Sequence, residues 1–537
     1  MTAPGEPLPT VTELLLARAE DVNPGLLFED IRWTWADHVQ ESANRAALLA
    51  GLRRPGPFHV GVLMDNVPEY SLLLGGAAFA GAVLVGLNTA RRGDALVRDV
   101  RRADCQVVIT DSRYVELLQG LDLGARVLDI DSAAWHVTMY RHTHSPLEPV
   151  PASPDDPLVL TFTSGTGGEP KPVCHTHGTV AGAGRAIASR HDVGTGDTVY
   201  LSMPMFHSSS VTAGWSVGLA AGAAVALRRR FSASGFVDDV RRHGATYAHY
   251  VGRPLAYVLS TPPDEDDRDN PLRVACGSGA SAMDAAEFAE RFGCEVVDTY
   301  HATEGAIDVP RPPGTPPGSI GRLEGGPEVL DPETGKPCPP AVLDAGGRVA
   351  NPDAVGELTT TADAFAGYYR DADADAERVR DGVFWSGDLA YRDEDGYCFL
   401  VGRSGEWPGA VRLERILSRH PDVGEVAVYT VPAPDVGEQL MAALVLRAEA
   451  VFDPDAFAEF LAAQEDLEPA EVPRFVRLTA RLPRTATFRV LRRTLTAQRW
   501  RSPDPVWWRE GPELRFEPLT ASSDPIRLDW GARSVRG

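Results

Sequence analysis

The stretch TFTSGTGGEPKPV, Thr161 to Val173, follows the β-rich run LVL and crowds Ser, Thr and Gly into its first half. A loop of this composition at the end of a strand can aim backbone N–H groups and hydroxyls at phosphate oxygens. The Walker pattern GxxxxGK[ST] has to open a helix. Here Lys171 stands between Pro170 and Pro172, and neither proline suits a helix start at that point. The loop is therefore not a Walker site. By itself it is either a phosphate cradle of another kind or a polar turn without a ligand.

The sequence around this loop alternates in period. VTELLLARAEDV (11–22) and WADHVQESANRAALLAGL (35–52) carry helical spacing, whereas HVGVLM, AVLVGLN, CQVVIT and ARVLDI are short β-rich runs. The alternation resumes with TVYLSMP, AAVALRR, RFSASGFVDDVRRHGATYAHYV and EVVDTY. Such a pattern predicts βαβ units, with parallel sheets covered by helices. The most apolar stretch, Leu72 to Leu87, is short and glycine-rich for a membrane span and predicts a buried helix running into a buried strand.

From Pro310 to about Thr361 the texture changes to Pro- and Gly-rich turns around the strand-like VGELTTT, which predicts a small β-rich subdomain. RDADADAERVRDG lacks the Gly and the terminal Glu of an EF-hand loop and predicts a solvated turn and helix start. After GYCFLVGRSGEW a separate texture begins (LERILSRHP, EVAVYTV, MAALVLR, PDAFAEFLAAQ, PRFVRL), about the size of a small independent domain. The expected architecture is α/β. A large multi-layer N-terminal domain spans 1–402, including the β-rich part at 310–361. A small mobile α+β cap spans 403–537, with a hinge near Gly402 to Glu406. The tail from about Trp507 is expected to be an added strand or disorder.

With 537 residues, 43% apolar and 24% charged, the chain has the composition of an ordinary globular protein. Its formal net charge of −23 argues against nucleic acid or an anionic membrane as the main partner, and any anionic ligand needs a local cluster of donors. The six cysteines form no CxxC pair and suit no zinc site; free thiols in a reducing cytosol are expected. The N-terminus has neither a basic head nor an apolar run, so no signal peptide is expected.

TSGTGGEPKPV closely resembles the phosphate-binding loop of the adenylate-forming enzymes: acyl-CoA synthetases, luciferases and the adenylation domains of peptide synthetases. Further motifs follow in that superfamily's order: PMFHSS, GSGAS, TYHATEG, FWSGDLAYRDEDGY with VGR, and LPRTATFRVLRR. The nearest flavour is the long-chain fatty-acid–CoA ligase and fatty-acid transport protein branch. The resemblance implies ATP and Mg²⁺. Ser164, Gly165, Thr166, Gly167 and Gly168 would cradle the β- and γ-phosphates, with Lys171 nearby. Gly279 would sit in the adenine-side turn and Tyr300 would stack on adenine. Thr303 would bind the α-phosphate, Glu304 the metal, and Asp388 and Arg403 the ribose. His207 would lie between acid pocket and nucleotide. Taken singly, each has an ordinary structural explanation; the ordered set is what points to chemistry.

Four departures bear on mechanism. Gly167 replaces a usual hydroxyl residue, which predicts weaker ATP binding. His301 replaces a usual Gly, as a polar substrate contact or as filler. Arg489 occupies the catalytic lysine position. Its planar fork is not interchangeable with an ammonium, and one misaimed donor costs on the order of 3 kcal/mol, so slowed or re-aimed adenylation is expected. Finally, SGEWPGAVRLERIL runs almost at once into the next helix, without the Gly-rich hairpin that lines the pantetheine channel, and Gly405 or Glu406 takes the hinge position. Three readings stay open: an AMP-forming acid–CoA ligase; an adenylating enzyme that passes its acid, such as nitrite, to an amine instead of CoA; and a nucleotide-binding pseudoenzyme.

Overall fold

The computed structural model describes residues 9–163, 170–300, 302–312, 314–344, 349–403, 407, 409–433, 437–464, 466–469, 471–485, 490–509, 511 and 513–519. The chain divides into two compact units, Met1–Asp308 with Ala362–Gly382, and Val309–Thr361 with Val383–Gly537. The boundary expected at 402/403 thus falls inside the second unit.

The first unit holds two sheets. One runs in the order Arg126–Asp129, Cys105–Thr110, His59–Leu63, Val83–Gly86, Pro157–Phe162, Pro172–Thr176. The other runs Glu295–Asp298, Val274–Ser278, Tyr247–Val251, Thr198–Leu201, Ala224–Leu227, Pro24–Phe28, Ile31–Thr34. In each, all pairs are parallel except the last, which is antiparallel. The parallel strands read as continuous apolar runs because both faces are covered. In the second sheet Tyr200, Ala226, Ala248, Tyr250 and Ala275 pack under Phe236, Phe288 and Phe292 on one face. Val199, Tyr247, Val274 and Cys276 pack with Val217 and Ala188 on the other.

The helix expected at 35–52 forms as Trp35–Leu52, its entry fixed by a reciprocal cap between Thr34 and Asp37. The one expected at 11–22 is shorter, Val11–Leu16, and Val22 beyond it is exposed rather than packed on the core. Leu72 to Leu87 is the buried helix Pro68–Ala80 followed by the buried strand Val83–Gly86. Among the described residues no helix is long and apolar enough to cross a membrane. Burial pushes the thiols of Cys174 and Cys276 up to about 11 and those of Cys294 and Cys398 up to about 12, so they stay protonated and inert.

In the second unit, the β-rich texture becomes an antiparallel sheet, in the order Gly321–Arg322, Tyr397–Arg403, Val383–Arg392, Gly356–Thr361, Glu328–Leu330. The C-terminal sheet runs Val423–Ala433, Gly437–Leu446, Phe475–Leu478, Val506–Trp508, Glu517–Pro518. Alternation along these strands buries both faces: Val428, Ala442, Leu444 and Val476 against Leu413, Phe457 and Leu461, and Ala427, Tyr429, Met441 and Phe475 against Leu495 and Trp500. The tail supplies the last two strands, as far as Leu519.

RDADADAERVRDG forms the helix Ala372–Arg378, capped by Asp371. It belongs to Ala362–Gly382, a segment that lies between two strands of the second unit in sequence yet packs in the first.

Candidate active site

The loop within Thr161–Val173 joins two antiparallel strands. Phe162 pairs with Pro172, and the loop's foot is closed by Thr163 N–H to the Lys171 carbonyl at 2.9 Å and by Lys171 N–H to Thr163 Oγ1 at 3.2 Å. The chain leaves Lys171 as the strand Pro172–Thr176, not a helix, as the flanking prolines require. Ser164, Gly165, Thr166, Gly167 and Gly168 lie outside the described residues, as do His301, Gly405, Glu406 and Arg489.

Residues 367–369 run beside this hairpin. Val173 bridges to Tyr368, Cys174 N–H donates to Gly367 O at 3.0 Å, and Tyr369 N–H donates to Pro172 O at 2.8 Å. That pairing sets the Tyr368 ring under Lys171, whose Nζ lies 5.4 Å from the ring centre. The Tyr368 hydroxyl donates to Glu304 Oε1 at 2.8 Å. Burial first, and then the adjacent Glu304 carboxylate, raise the Tyr368 phenol above its usual range, so it remains a donor. Lys171 Nζ meets Glu377 of the Ala372–Arg378 helix at 2.9 Å. Glu377 is 71% exposed, so this pair is weak and readily exchanged for another anion. The structure therefore brings Lys171 and Glu304 to one tyrosine, Lys171 over its ring and Glu304 at its hydroxyl.

The GSGAS turn is anchored by Asp298, at the end of the strand Glu295–Asp298. Its Oδ2 accepts from Ala280 N–H at 2.7 Å and from the Tyr250 hydroxyl at 2.8 Å. Gly279 has φ +92°, and a Cβ there would sit 3.2 Å from the Gly252 backbone; both facts favour glycine. Two residues past Asp298, Tyr300 is buried, and Thr303 is only 4% exposed.

His207 is buried with Nδ1 3.0 Å from Ser209 Oγ. Its turn is clamped by Asn66, which donates to Met203 O at 2.8 Å and accepts from Met205 N–H at 2.8 Å. The wide π-helical turn Val211–Trp215 follows, a feature frequent at functional sites. The buried hydroxyls of Ser208 and Ser210 find no protein partner among the described residues.

In the second unit, Asp388 and Arg403 face each other across two antiparallel strands. Arg403 Nε donates to Asp388 Oδ1 at 2.8 Å, and Asp388 is 7% exposed. Gly387, inside the same strand and next to Asp388, has φ +79°, a conformation that favours glycine. Its N–H donates to Glu357 at 2.6 Å.

Tyr368, Glu377 and Asp298 were not singled out from sequence. Asp298 sits inside the quoted run EVVDTY, where a strand-ending carboxylate beside a glycine-rich turn was the available signal. The other two lie in AGYYRDADADAERV, whose destination in the fold no local pattern encodes.

A chain with this loop, this Ser-Gly-Asp element and these two sheets matches the AMP-binding enzyme family over residues 17–369 and the AMP-binding enzyme C-terminal domain over 412–489. It belongs to that family, within the adenylate-forming superfamily, and is an AMP-forming ligase. It is 46% identical to the medium/long-chain-fatty-acid–CoA ligase FadD17 of Mycobacterium marinum, covering 93% of this chain and 98% of the relative. It is 44% identical to the steroid-22-oyl-CoA synthetase of Rhodococcus jostii, covering 93% and 92%. The fold is shared with ATP-bound MatB from Rhodopseudomonas palustris, with a TM-score of 0.80 at 22% identity over 91% of this chain and 99% of that one.

Proposed function

We propose that this enzyme is an ATP-dependent carboxylate–CoA ligase acting on an acid with a large apolar body. The carrying observation is kinship along almost the whole chain to relatives named as CoA ligases, at 46% and 44% identity. Their named acids, medium/long-chain fatty and steroid-22-oyl, share a carboxylate on a bulky apolar frame. The same kinship favours CoA over an amine acceptor with nitrite, and an enzyme over a pseudoenzyme, despite the shortened segment after Arg403.

In the first half-reaction a carboxylate oxygen bonds to the α-phosphorus of ATP as the bond to the bridging oxygen breaks and pyrophosphate leaves. In the second, the CoA sulfur replaces AMP at the acyl carbon. Protein groups serve by position and charge. Lys171, held loosely by Glu377, is free to exchange that carboxylate for a phosphate. Thr303 would hold the α-phosphate, Tyr300 the adenine beside the Gly279 turn, and the Ser164–Gly168 loop the outer phosphates. His207 would border the acid. Asp388, fixed by Arg403 through one oxygen, keeps acceptor capacity for ribose hydroxyls.

Glu304 suits Mg²⁺: Tyr368 occupies Oε1 and orients the carboxylate, and magnesium is commonly held through one or two carboxylates plus substrate phosphates. Bound there, the ion would neutralise triphosphate charge. We also take residues 403–537 as the mobile cap, supported by the two core faces that close entirely within 407–519.

The test is carboxylate-dependent ATP–pyrophosphate exchange over straight-chain and steroid side-chain acids, followed by thioester analysis with CoA. Exchange with an apolar acid and a CoA thioester product are expected. Exchange without thioester would restore the amine-acceptor reading, and nucleotide binding with no exchange on any acid would restore the pseudoenzyme.

A further inference from the structure

A cavity of about 480 Å³ opens in the first unit, and none of the candidate-site residues is among its lining. Phe28 and Leu227 end neighbouring parallel strands in register, so the cavity lies beyond the carboxyl edge of a parallel sheet, where open α/β sheets take their ligands. Phe231 contributes partly exposed aromatic surface, the buried rings of Phe28 and Tyr200 form part of the wall, and Arg113, Arg228, Arg229, Arg230 and Arg242 also line it.

The arginines are held in two ways. Asp65, 5% exposed, accepts from the Tyr114 hydroxyl at 2.7 Å, from Arg230 Nε at 3.0 Å and from Arg113 Nη1 at 3.5 Å. Asp239, also buried, accepts from the Tyr200 hydroxyl at 2.9 Å and from Arg228 Nη1 at 2.7 Å. These carboxylates aim guanidinium groups that remain 37–55% exposed. Arg229 lies 5.3 Å above the Phe28 ring and 3.6 Å from Glu29, and Arg242 pairs with Asp30. Glu29 and Asp30 are 64% and 94% exposed, so both pairs are solvent-screened and exchangeable. Five guanidinium groups thus face four carboxylates, two of them in water, in a chain of net charge −23. Guanidinium forks match phosphate oxygens in pairs, and aromatic faces stack on a nucleobase. The volume falls in the range of small-molecule sites.

We propose that this arginine-lined cavity binds the adenosine 3′-phosphate 5′-diphosphate end of CoA. The assignment rests on the CoA-ligase reading; the chemistry it requires, a base with clustered phosphates, is shared by free nucleotides. Two substitutions test it without orphaning a buried carboxylate: Arg229→Gln and Arg242→Gln, made together in the full chain.

Adenosine 3′,5′-bisphosphate is titrated calorimetrically, and KM is measured for CoA and for pantetheine, which lacks the nucleotide. The expected result is at least a tenfold loss of bisphosphate affinity and a similar rise in KM for CoA. KM for pantetheine and the CoA-independent ATP–pyrophosphate exchange should not change. Weakened bisphosphate binding with an unchanged KM for CoA would overturn the CoA assignment in favour of a free nucleotide. Unchanged bisphosphate binding would overturn the site altogether. Absence of acid-dependent exchange in the unsubstituted enzyme would instead sink the ligase reading, while calorimetry still reads the cavity.

Discussion

Tyr368→Phe removes one oxygen atom from the candidate site and little else. The ring keeps its packing on Val173 and Ala374 and stays beneath Lys171. What disappears is the 2.8 Å hydrogen bond to Glu304. Hydrogen bonds to charged groups are worth about 1.5–3 kcal/mol, and the half-buried Glu304 belongs near the lower figure, about tenfold in an equilibrium. If Tyr368 orients Glu304 toward a Mg²⁺-nucleotide, the variant should need about tenfold more Mg²⁺ for half-maximal ATP–pyrophosphate exchange. The rate at saturating Mg²⁺ should stay within a few-fold of wild type, because the phenol touches no reacting atom. A Mg²⁺ titration at fixed saturating ATP reads this directly, with the melting temperature as a control for folding. A Mg²⁺ midpoint equal to wild type, in a variant of unchanged melting temperature, would refute the orienting role. A uniform fall in rate at every Mg²⁺ concentration would place the hydroxyl at substrate instead.

Gly387→Ala forces an L residue to φ +79°, costing about 1–2 kcal/mol, and re-aims Asp388. A lower melting temperature and a raised KM for ATP are expected, and an unchanged KM would detach Asp388 from nucleotide binding. Arg489→Lys should speed adenylation tenfold or more, measured by pyrophosphate exchange, if that position carries the bridging cation; an unaltered rate would place the cation elsewhere. Burial first, then Arg45, holds His38 down to about 3, and burial holds His177 down to about 4. Because the unfolded chain takes up these protons near pH 6.5, stability is fully present above that pH and is lost progressively toward 3–4, by up to about 1.4 kcal/mol per histidine per pH unit. Denaturant unfolding at pH 7, 6 and 5 should show this slope, and His38→Gln should flatten it; an equally steep slope in that variant would exclude His38 as a source.

The alternating period of the first half was legible because each strand there is buried on both faces and each helix on one, a local consequence of composition. The exit from the 161–173 stretch was legible for a similar reason: two prolines exclude a helix start at Lys171 whatever the rest of the chain does. The Tyr368–Glu304 contact was not. It depends on Ala362–Gly382 leaving the strands that flank it in sequence and pairing beside Val173 and Cys174, and backbone pairing across some two hundred residues has no local signature. The arginine cavity was hidden likewise. Only Arg228–Arg230 forms a run; Arg113 joins it through Asp65, which follows a strand of the other sheet, and Arg242 joins it from the helix Phe236–His243.

The basic residues also carry an argument of their own. Lys171 and Lys336 are the only lysines, so 52 − 2 = 50 of the basic side chains are arginine. Arginine is this chain's default cation, and Arg489 conforms to the default. Lys171 does not: in the 161–173 stretch the chain departs from its habit and places a compact ammonium over a tyrosine ring, paired with Glu377. An ammonium acts on phosphate as a point charge, whereas a guanidinium demands a planar, bidentate partner. A loop built only to be polar would have no need of that distinction. If the loop holds a triphosphate as proposed, it does need that distinction, because the charge has to stay near oxygens whose geometry changes as pyrophosphate departs.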